Sequence, residues 1–477
     1  MIFQEDKIVK LVNIIREDIK NTAFMGKVYI VGGAVRDALL GKPVDDIDIV
    51  VELSGGGISL ASYLCAKHRC FTPQKNPLIF QTYGVASFCL SSEKEVADIE
   101  IQCVQTRKEK YDRQSRNPST VFGSLKEDAR RRDLTINALY YDISNDRVID
   151  PNGMGIDDLN KKIIRTPTSP DIIFDDDPLR IMRVIRFATK LGWGIEKNTW
   201  FGIVKNVYRL PIVSQERISD ELTKILLCKK PSLGVERLWR CGALEIIIPD
   251  IYSLTQVYES KIVTKREGLF KTKTEKTIYS KVTVFEHTMN VIDKVQPILS
   301  HRLAALFHDV AKIIKYDKDK TDEVNDFSSE VALADLKALK YPNKVINEAT
   351  NAIRLHGRFD RYSANVPKDK HLRRFVDDCG EDLAIVVNLM HANDVCDPFN
   401  PKPNRVLDIL KRIEQLIDED ANDFELPITG DDIITKFNIK GGPLVGKALS
   451  KVKDACYDNP RLTKEEAFEI AKLVFAT

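Results

Sequence analysis

Asp46 and Asp48 stand two residues apart at the start of an apolar run, Ile47–Val51. A strand points residues i and i+2 to the same side, so both carboxylates can reach one divalent ion. Mg²⁺ is usually held in this way, by one or two carboxylates together with substrate phosphates. A second apolar run, Val28–Val31, ends in the pair Gly32-Gly33, and Arg36 and Asp37 fall on the helical turn that follows. Glycine lets a backbone approach a phosphate closely, and the amides at a helix N-terminus attract anions. Strand, phosphate loop, helix and acid-bearing strand together suit a nucleoside triphosphate and its metal. The plainer alternative, an acidic strand end beside an ordinary strand-to-helix turn, explains a bare Asp-x-Asp better than it explains this whole spacing.

Two kinds of element must hold these residues. Residues 5–20 read as an amphipathic helix, and strand-like runs follow at Val28–Val31, Ile47–Val51, Tyr83–Leu90 and Val96–Val104, with helical patterns between them. A polar loop, Gln105–Thr120, carries Arg107, Arg113 and Arg116. From about Thr135 onward the pattern is mostly helical, apart from a short strand-like piece at Arg147–Asp150. Periodicity by itself therefore gives an α/β head followed by a mostly α remainder. The chain has 477 residues, too many for one ordinary domain, and three or four are expected. Turn-rich boundaries fall near Pro167–Asp171, Ser260–Thr277 and Asp397–Asn404, and the lysine-rich stretch 261–281 reads as a linker.

Composition narrows the function classes. Apolar residues make up 43% of the chain and charged residues 30%, as in a globular protein. The net charge of +2 gives no global basic field, so any RNA affinity must come from local patches. No run of about 18 apolar residues exists, so no membrane span is expected. Residues 1–10 carry no signal-peptide core. The nine cysteines form no Cys-x-x-Cys pair, which argues for reduced thiols in a cytoplasmic setting and against a cysteine zinc site.

The stretch Gly-Gly-x-Val-Arg-Asp-x-Leu-Leu-Gly-x4-Asp-x-Asp resembles the signature of class II tRNA nucleotidyltransferases and bacterial poly(A) polymerases. The matching positions are Gly32, Gly33, Val35, Arg36, Asp37, Leu39, Leu40, Gly41, Asp46 and Asp48. The resemblance implies an α+β fold: a polymerase-β-like nucleotidyltransferase head with a mixed sheet, followed by all-α neck, body, HD domain and tail. The corresponding divisions are 1–165 for the head, 166–260 for the neck and body, 278–400 for the HD domain and 401–477 for the tail.

Three further motifs extend the resemblance. Residues 131–138 read Arg-Arg-Asp-Leu-Thr-Ile-Asn-Ala, with Leu134 for the family's usual Phe. It implies that Arg131 and Arg132 face a triphosphate and that Asp133 and Asn137 contact sugar or phosphate; the arginine fork holds phosphate oxygens in pairs. Thr106-Arg107-x-Glu109-x-Tyr111 matches a family element that opens a loop involved in switching between nucleotides. Asp98 and Glu100 are candidates for a third metal-facing carboxylate. Residues 176–187, Asp-Asp-Pro-Leu-Arg-x-x-Arg-x-x-Arg-Phe, match at Asp177, Arg180, Arg183 and Arg186, with Asp176 for the usual Glu.

On a helix of about 100° per residue, Asp177 and Arg180 would be neighbours on one face, with Arg183 beside Arg180. That pair could choose a base without a template. Cytosine and adenine share one edge: an exocyclic amine donor beside a ring-nitrogen acceptor. Asp177 can accept from the amine while Arg180 donates to the ring nitrogen. Uracil and guanine reverse the pattern and leave both protein groups against like partners, at about 1–3 kcal/mol for each unpaired group. The plainer reading is a set of surface ion pairs.

The second half holds another constellation. His287 lies in Phe-Glu-His-Thr, His308-Asp309 precedes Val-Ala-Lys312, and Asp394 lies in Met-His-Ala-Asn-Asp-Val. This series resembles the HD phosphohydrolase superfamily, which implies that His287, His308, Asp309 and Asp394 ligate one metal. Imidazole with carboxylate suits Mn²⁺, Fe²⁺, Ni²⁺ or Zn²⁺ better than Mg²⁺. Two departures stand against it: Ala311 replaces a glycine, and Phe327-Ser-Ser-Glu330 replaces Phe-x-x-His-Glu. His356 matches another family histidine. The alternative is a retained helical scaffold. Near the C-terminus, Gly442, Pro443, Val445 and Gly446 match a tail element that implies contact with a tRNA backbone.

The expected activity is CCA addition: C, C and A joined to a tRNA 3′ end from CTP and ATP, with Mg²⁺ at Asp46 and Asp48. Gly33, Arg36, Arg131, Arg183 and Arg186 would hold the triphosphate. The expected partners are tRNA and the two nucleotides, with no membrane and no obligate protein partner. The alternatives are a poly(A) polymerase, a CC- or A-adding specialist of the same family, or a metal-dependent phosphohydrolase acting on RNA ends or nucleotides through the HD site. A Gly-Arg-Arg-Phe-Arg strand marks the poly(A) relatives, and residues 81–85 read Gln-Thr-Tyr-Gly-Val instead.

Overall fold

The computed structural model describes residues 1–44, 46–70, 77–81, 84–90, 93–110, 119–267, 274–313, 321–360, 366–420 and 426–475. The chain divides into two compact units, residues 1–225 with 236–247 and residues 226–235 with 248–477.

The first unit begins with helix α1 (Asp6–Ile19), strand β1 (Val28–Val31), α2 (Gly33–Leu39), β2 (Ile47–Val51) and α3 (Gly56–Lys67). Strands β3 (Leu78–Phe80), β4 (Val85–Phe88) and β5 (Ile101–Gln105) follow, then a separate ribbon of β6 (Arg107–Lys110) and β7 (Ser119–Phe122). Next come α4 (Leu125–Arg130), β8 (Tyr140–Asp142), β9 (Arg147–Ile149) and α5 (Gly155–Lys161). The main sheet has seven strands in the order β3-β4-β5-β2-β1-β8-β9. It is mixed: β2 runs parallel to β5 and antiparallel to β1.

Strand alternation gives this sheet two different faces. Val28, Ile30, Ile47, Ile49 and Val51 pack into one core with Leu11 and Ile15 of α1 and Leu60 and Leu64 of α3. Tyr29, Val31 and Val50 point the other way, into a smaller cluster with Ala129, Ala138 and Tyr140. Asp46 and Asp48 share the parity of Val50, so they stand on this second face, and both are exposed. Each buried Ile of β2 contributes roughly 1.5–3 kcal/mol, so the register is well fixed. A slip by one residue would turn the acids into the core.

Several sequence expectations shift. The run at Val96–Val104 narrows to β5, because residues 94–98 form turns whose Asp98 and Glu95 pair with Lys7 and Lys10 of α1. The run at Tyr83–Leu90 narrows to β4, and residues 82 and 83 lie outside the described residues. β3 and β8 add strands that the periodicity did not mark; β8 exists because it pairs with β1, Tyr29 facing Asp142. Part of the polar loop forms the β6–β7 ribbon, while Tyr111, Arg113 and Arg116 lie outside the described residues.

Residues 163–226 follow as a short parallel pair, β10 (Ile163–Ile164) with β11 (Gly194–Ile195), and helices α6 (Pro170–Asp176), α7 (Leu179–Leu191), α8 (Lys197–Asn206) and α9 (Gln215–Leu226).

The second unit opens with a hairpin. β12 (Tyr258–Glu267) and β13 (Thr274–Thr283) pair along their whole length, so the expected linker is regular structure. Helices then run from Val284–Lys294 through Lys464–Lys472. Capping boxes at Thr283/Glu286, Thr429/Asp432 and Thr463/Glu466 fix three of the helix starts. Ile433, Val445, Ala448, Val452 and Ala467 form a small separate core, and Pro443 opens the long helix Pro443–Asp458 directly after Gly442. Among the described residues no helix is long and apolar enough to cross a membrane.

Candidate active site

The glycine turn brings the first strand to the acids. Gly32 has φ +81°, a left-handed conformation that favours glycine, and a Cβ there would lie 3.7 Å from Asp48 Oδ2 and 3.9 Å from Arg132 Nη1. Across the ladder Val31 pairs with Asp48. The protein around Asp48 partly desolvates its carboxylate and raises its pKa although the side chain stays open to solvent, the Arg132 guanidinium lowers it, and the Asp46 carboxylate raises it, with a net upward shift. Two mutually repelling, all-oxygen donors on one face fit a hard divalent cation. The other two acidic candidates are engaged elsewhere. Asp98 binds Lys7 at 2.5 Å, and Glu100 accepts from Ser87 Oγ at 2.6 Å.

Arg132 and Arg131 are braced from beneath by one carboxylate, Asp128. Its Oδ2 accepts from Arg132 Nε and Nη2 at 3.1 Å each and from the Tyr140 hydroxyl at 2.7 Å. Its Oδ1 accepts from Arg131 Nη2 at 2.7 Å. Burial alone would raise the Asp128 pKa, but the two guanidiniums outweigh it and hold the carboxyl well below its ordinary range. The arginines are thus fixed rather than swinging on solvent-exposed stems.

Arg36 is buried. Its Nε and Nη2 donate to Asp37 at 2.9 and 2.7 Å, and its Nη1 donates to Asn137 Oδ1 at 2.7 Å. Asn137 Nδ2 in turn donates to Asp133 Oδ1 at 3.2 Å, and Asp133 Oδ2 accepts from Arg183 Nε and Nη2 at 2.8 and 2.6 Å. Burial pushes the Asp133 pKa up, yet Arg183 and the Asn137 bond bring it down to about 2. Arg186 Nε sits 2.8 Å from Glu221 Oε2. The Phe187 ring has Arg36, Arg183 and Arg186 at 5.0, 5.8 and 4.3 Å from its centroid. Two segments far apart in sequence, α2 and α7, therefore meet around one ring.

Asp177 does not lie on a helix with Arg180. It has extended backbone, φ −146° and ψ 101°, at the end of α6, and α7 begins at Leu179. Pro178 is the reason, since proline disfavours helical backbone in the residue before it. Asp177 Oδ1 accepts from Leu179 N at 3.1 Å and Oδ2 from Arg217 Nη2 at 2.8 Å. Arg180 is buried; its backbone N donates to Asp177 O at 3.0 Å and its Nη1 to Ile173 O at 3.3 Å. The two residues stay adjacent, through a turn instead of a helix face.

Asp128, Glu221 and Arg217 were not singled out from the sequence. Glu221 carried a signal: it falls among Ile218, Leu222 and Ile225, on the apolar stripe of α9, and is almost fully buried. A charge on such a stripe needs a partner.

In the second unit His287, His308 and Asp309 cluster with their ligand atoms within 4.8 Å of one another, the one such group among the described residues. His308 Nε2 lies 3.2 Å from Asp309 Oδ2 and 3.3 Å from His287 Nε2. Their other ring nitrogens face backbone carbonyls, His287 Nδ1 that of Cys396 and His308 Nδ1 that of Ala305. Asp394 is not brought to this group. Arg405 Nε and Nη2 both donate to it at 2.6 Å. Lys312 pairs with Asp309 at 2.7 Å and with Glu259 at 2.6 Å.

Residues 28–165 match the model of the poly A polymerase head domain, and residues 192–254 match that of the probable RNA and SrmB-binding site of polymerase A. A mitochondrial CCA tRNA nucleotidyltransferase of Candida glabrata is 28% identical over 93% of this chain and 90% of its own length. A tRNA nucleotidyltransferase of Schizosaccharomyces pombe is 26% identical over the same shares, 93% and 90%. A crystal structure of the Bacillus stearothermophilus CCA-adding enzyme in complex with CTP superposes with a TM-score of 0.68 at 20% identity, covering 99% of this chain and 98% of that one. The head is thus that of a nucleotidyltransferase with a polymerase-β-like mixed sheet, followed by a helical body. Over nine-tenths of its length the chain is similar to tRNA nucleotidyltransferases, and residues 28–165 match the poly A polymerase head domain, a class of enzyme that works through a divalent metal ion.

Proposed function

We propose that this protein adds C, C and A to the 3′ end of tRNA from CTP and ATP. The observation that carries the reading is the placement of Asp46 and Asp48 on one sheet face, against Gly32 and the braced Arg132. The cation they would hold is Mg²⁺, in keeping with two hard carboxylates and a triphosphate; when bound it supplies charge neutralisation for the transferred phosphoryl group and the leaving pyrophosphate. The chain's own residues do the positioning. The Gly32-Gly33 turn lets the phosphates approach the backbone. Arg132, and the cluster of Arg36, Arg183 and Arg186 around Phe187, surround the triphosphate with fixed positive charge. Asp133 and Asn137 hold that cluster in register and face the sugar. Asp177 accepts from the amine of cytosine or adenine, and Arg180 donates to the ring nitrogen. The neck, body and tail bind tRNA chiefly through its phosphates, so affinity should fall steeply with salt. The divisions 1–165, 166–260, 278–400 and 401–477 serve as head, neck and body, HD region and tail. A cytoplasmic setting agrees with nine free cysteines.

The test offers tRNA ending before CCA with each labelled triphosphate alone and with CTP plus ATP. Two C additions followed by one A are expected. Long A tails would replace this reading with poly(A) synthesis, and C only or A only with a specialist.

A second reading attaches to His287, His308 and Asp309. Two imidazoles and a carboxylate, with both imidazoles braced by carbonyls, are the donor set of a catalytic metal with open positions. The expected result is about one equivalent of transition metal in the purified protein, lost in His308→Ala while C and A addition persists; a metal-free wild type would end this reading.

A further inference from the structure

We propose that Arg217 is a specificity-determining residue, which holds the Asp177 carboxylate in the orientation that reads the incoming base. This rests on the base-reading role given above to Asp177 and Arg180. Asp177 sits in extended backbone between two helices, so no helical turn restrains its side chain. Two donors restrain it instead. Leu179 N holds Oδ1 at 3.1 Å and Arg217 Nη2 holds Oδ2 at 2.8 Å. One contact alone would let the carboxylate swing about that oxygen; two contacts on different oxygens fix its plane. An ionised carboxylate has about four acceptor positions, so these two donors leave room for the amine of a base.

The anchors of the reading pair come from different elements. Arg180 is held by the Ile173 carbonyl of α6, independently of Arg217. Arg217 stands on the first turn of α9, one helical turn before Glu221, and Glu221 holds Arg186. One face of α9 therefore supports both the base reader and the arginine cluster. Stability does not explain the Arg217 contact. Its side chain is 50% exposed, and an ion pair that open to water adds little to folding. What it does fix is direction. Rejection of uracil and guanine depends on an acceptor standing opposite their carbonyl oxygen, and a carboxylate free to turn no longer stands there.

The experiment measures kcat/KM for CTP against UTP, and for ATP against GTP, with tRNA ending before CCA and with tRNA ending in CC. In Arg217→Ala both ratios should fall about tenfold, mainly through higher KM for CTP and ATP with kcat little changed. Arg217→Lys should restore most of the loss and Arg217→Gln little of it, with melting temperatures like that of the parent. If Arg217→Ala and Arg217→Gln keep both ratios within about twofold of wild type while wild type prefers C and A, the inference is overturned and the CCA reading stands. If wild type itself shows no such preference, the CCA reading falls and this inference with it.

Discussion

Asp48→Asn protein should add nucleotides about a thousandfold more slowly than wild type, for C and for A alike. The Asn side chain keeps the shape of the acid but offers one neutral oxygen, so the metal loses a charged ligand. A loss of several kcal/mol of charge stabilisation corresponds to about three orders of magnitude in rate. Asp46→Ala should behave in the same way, because both acids stand on the face of β2 that also bears Val50. Neither substitution should weaken the fold. Partial desolvation and the Asp46 charge already push the Asp48 pKa up, so the ionised form is disfavoured in the folded protein, and a neutral side chain relieves that. Single-turnover addition to labelled tRNA, with thermal melting in parallel, checks both halves. Retention of a tenth or more of the wild-type rate, about 1.4 kcal/mol at most, would move the chemistry away from this strand.

Asp128→Ala should have the largest effect on stability, about 3–5 kcal/mol, because it strands two half-buried guanidinium contacts and the buried Tyr140 hydroxyl around an empty space. Addition should fall as well, since Arg132 loses the brace that sets it beside Asp48 and Gly32. Urea unfolding of the variant and the parent gives the first quantity and the addition assay the second; a stability change below about 1 kcal/mol would sink the argument. The same network sets an acid limit. The folded pKa of Asp128 lies well below its ordinary value, and that of Asp133 is about 2. A depressed carboxyl contributes stability that is complete above about pH 4 and is lost as pH falls through the folded value. The parent should therefore lose stability between about pH 4 and pH 2, and Asp128→Ala should lose less over that range.

Some of this site could be read directly from the chain. The parity of Asp46 and Asp48, the glycine turn before α2 and the Arg131–Asn137 segment are short-range features, set by the period of a strand and by the conformations open to glycine. Asp177 is the instructive error. Counting at helical spacing placed it on a helix with Arg180, whereas Pro178 bars that conformation and leaves it in a turn. The stretch 261–281, most of the hairpin at 258–283, reads as a linker from its lysines alone, because strand pairing depends on a partner 7 to 25 residues away.

The sequence by itself determined which residues stand on which face of each element, and so where two acids, a phosphate turn and a row of arginines could act. Backbone periodicity and the restrictions on glycine and proline suffice for that. Only the tertiary structure decided how the distant charges pair: Asp133 with Arg183, Glu221 with Arg186, Arg217 with Asp177, and Arg405 with Asp394. A guanidinium can satisfy any nearby carboxylate, so its choice depends on which elements pack together and which partners they bury with it.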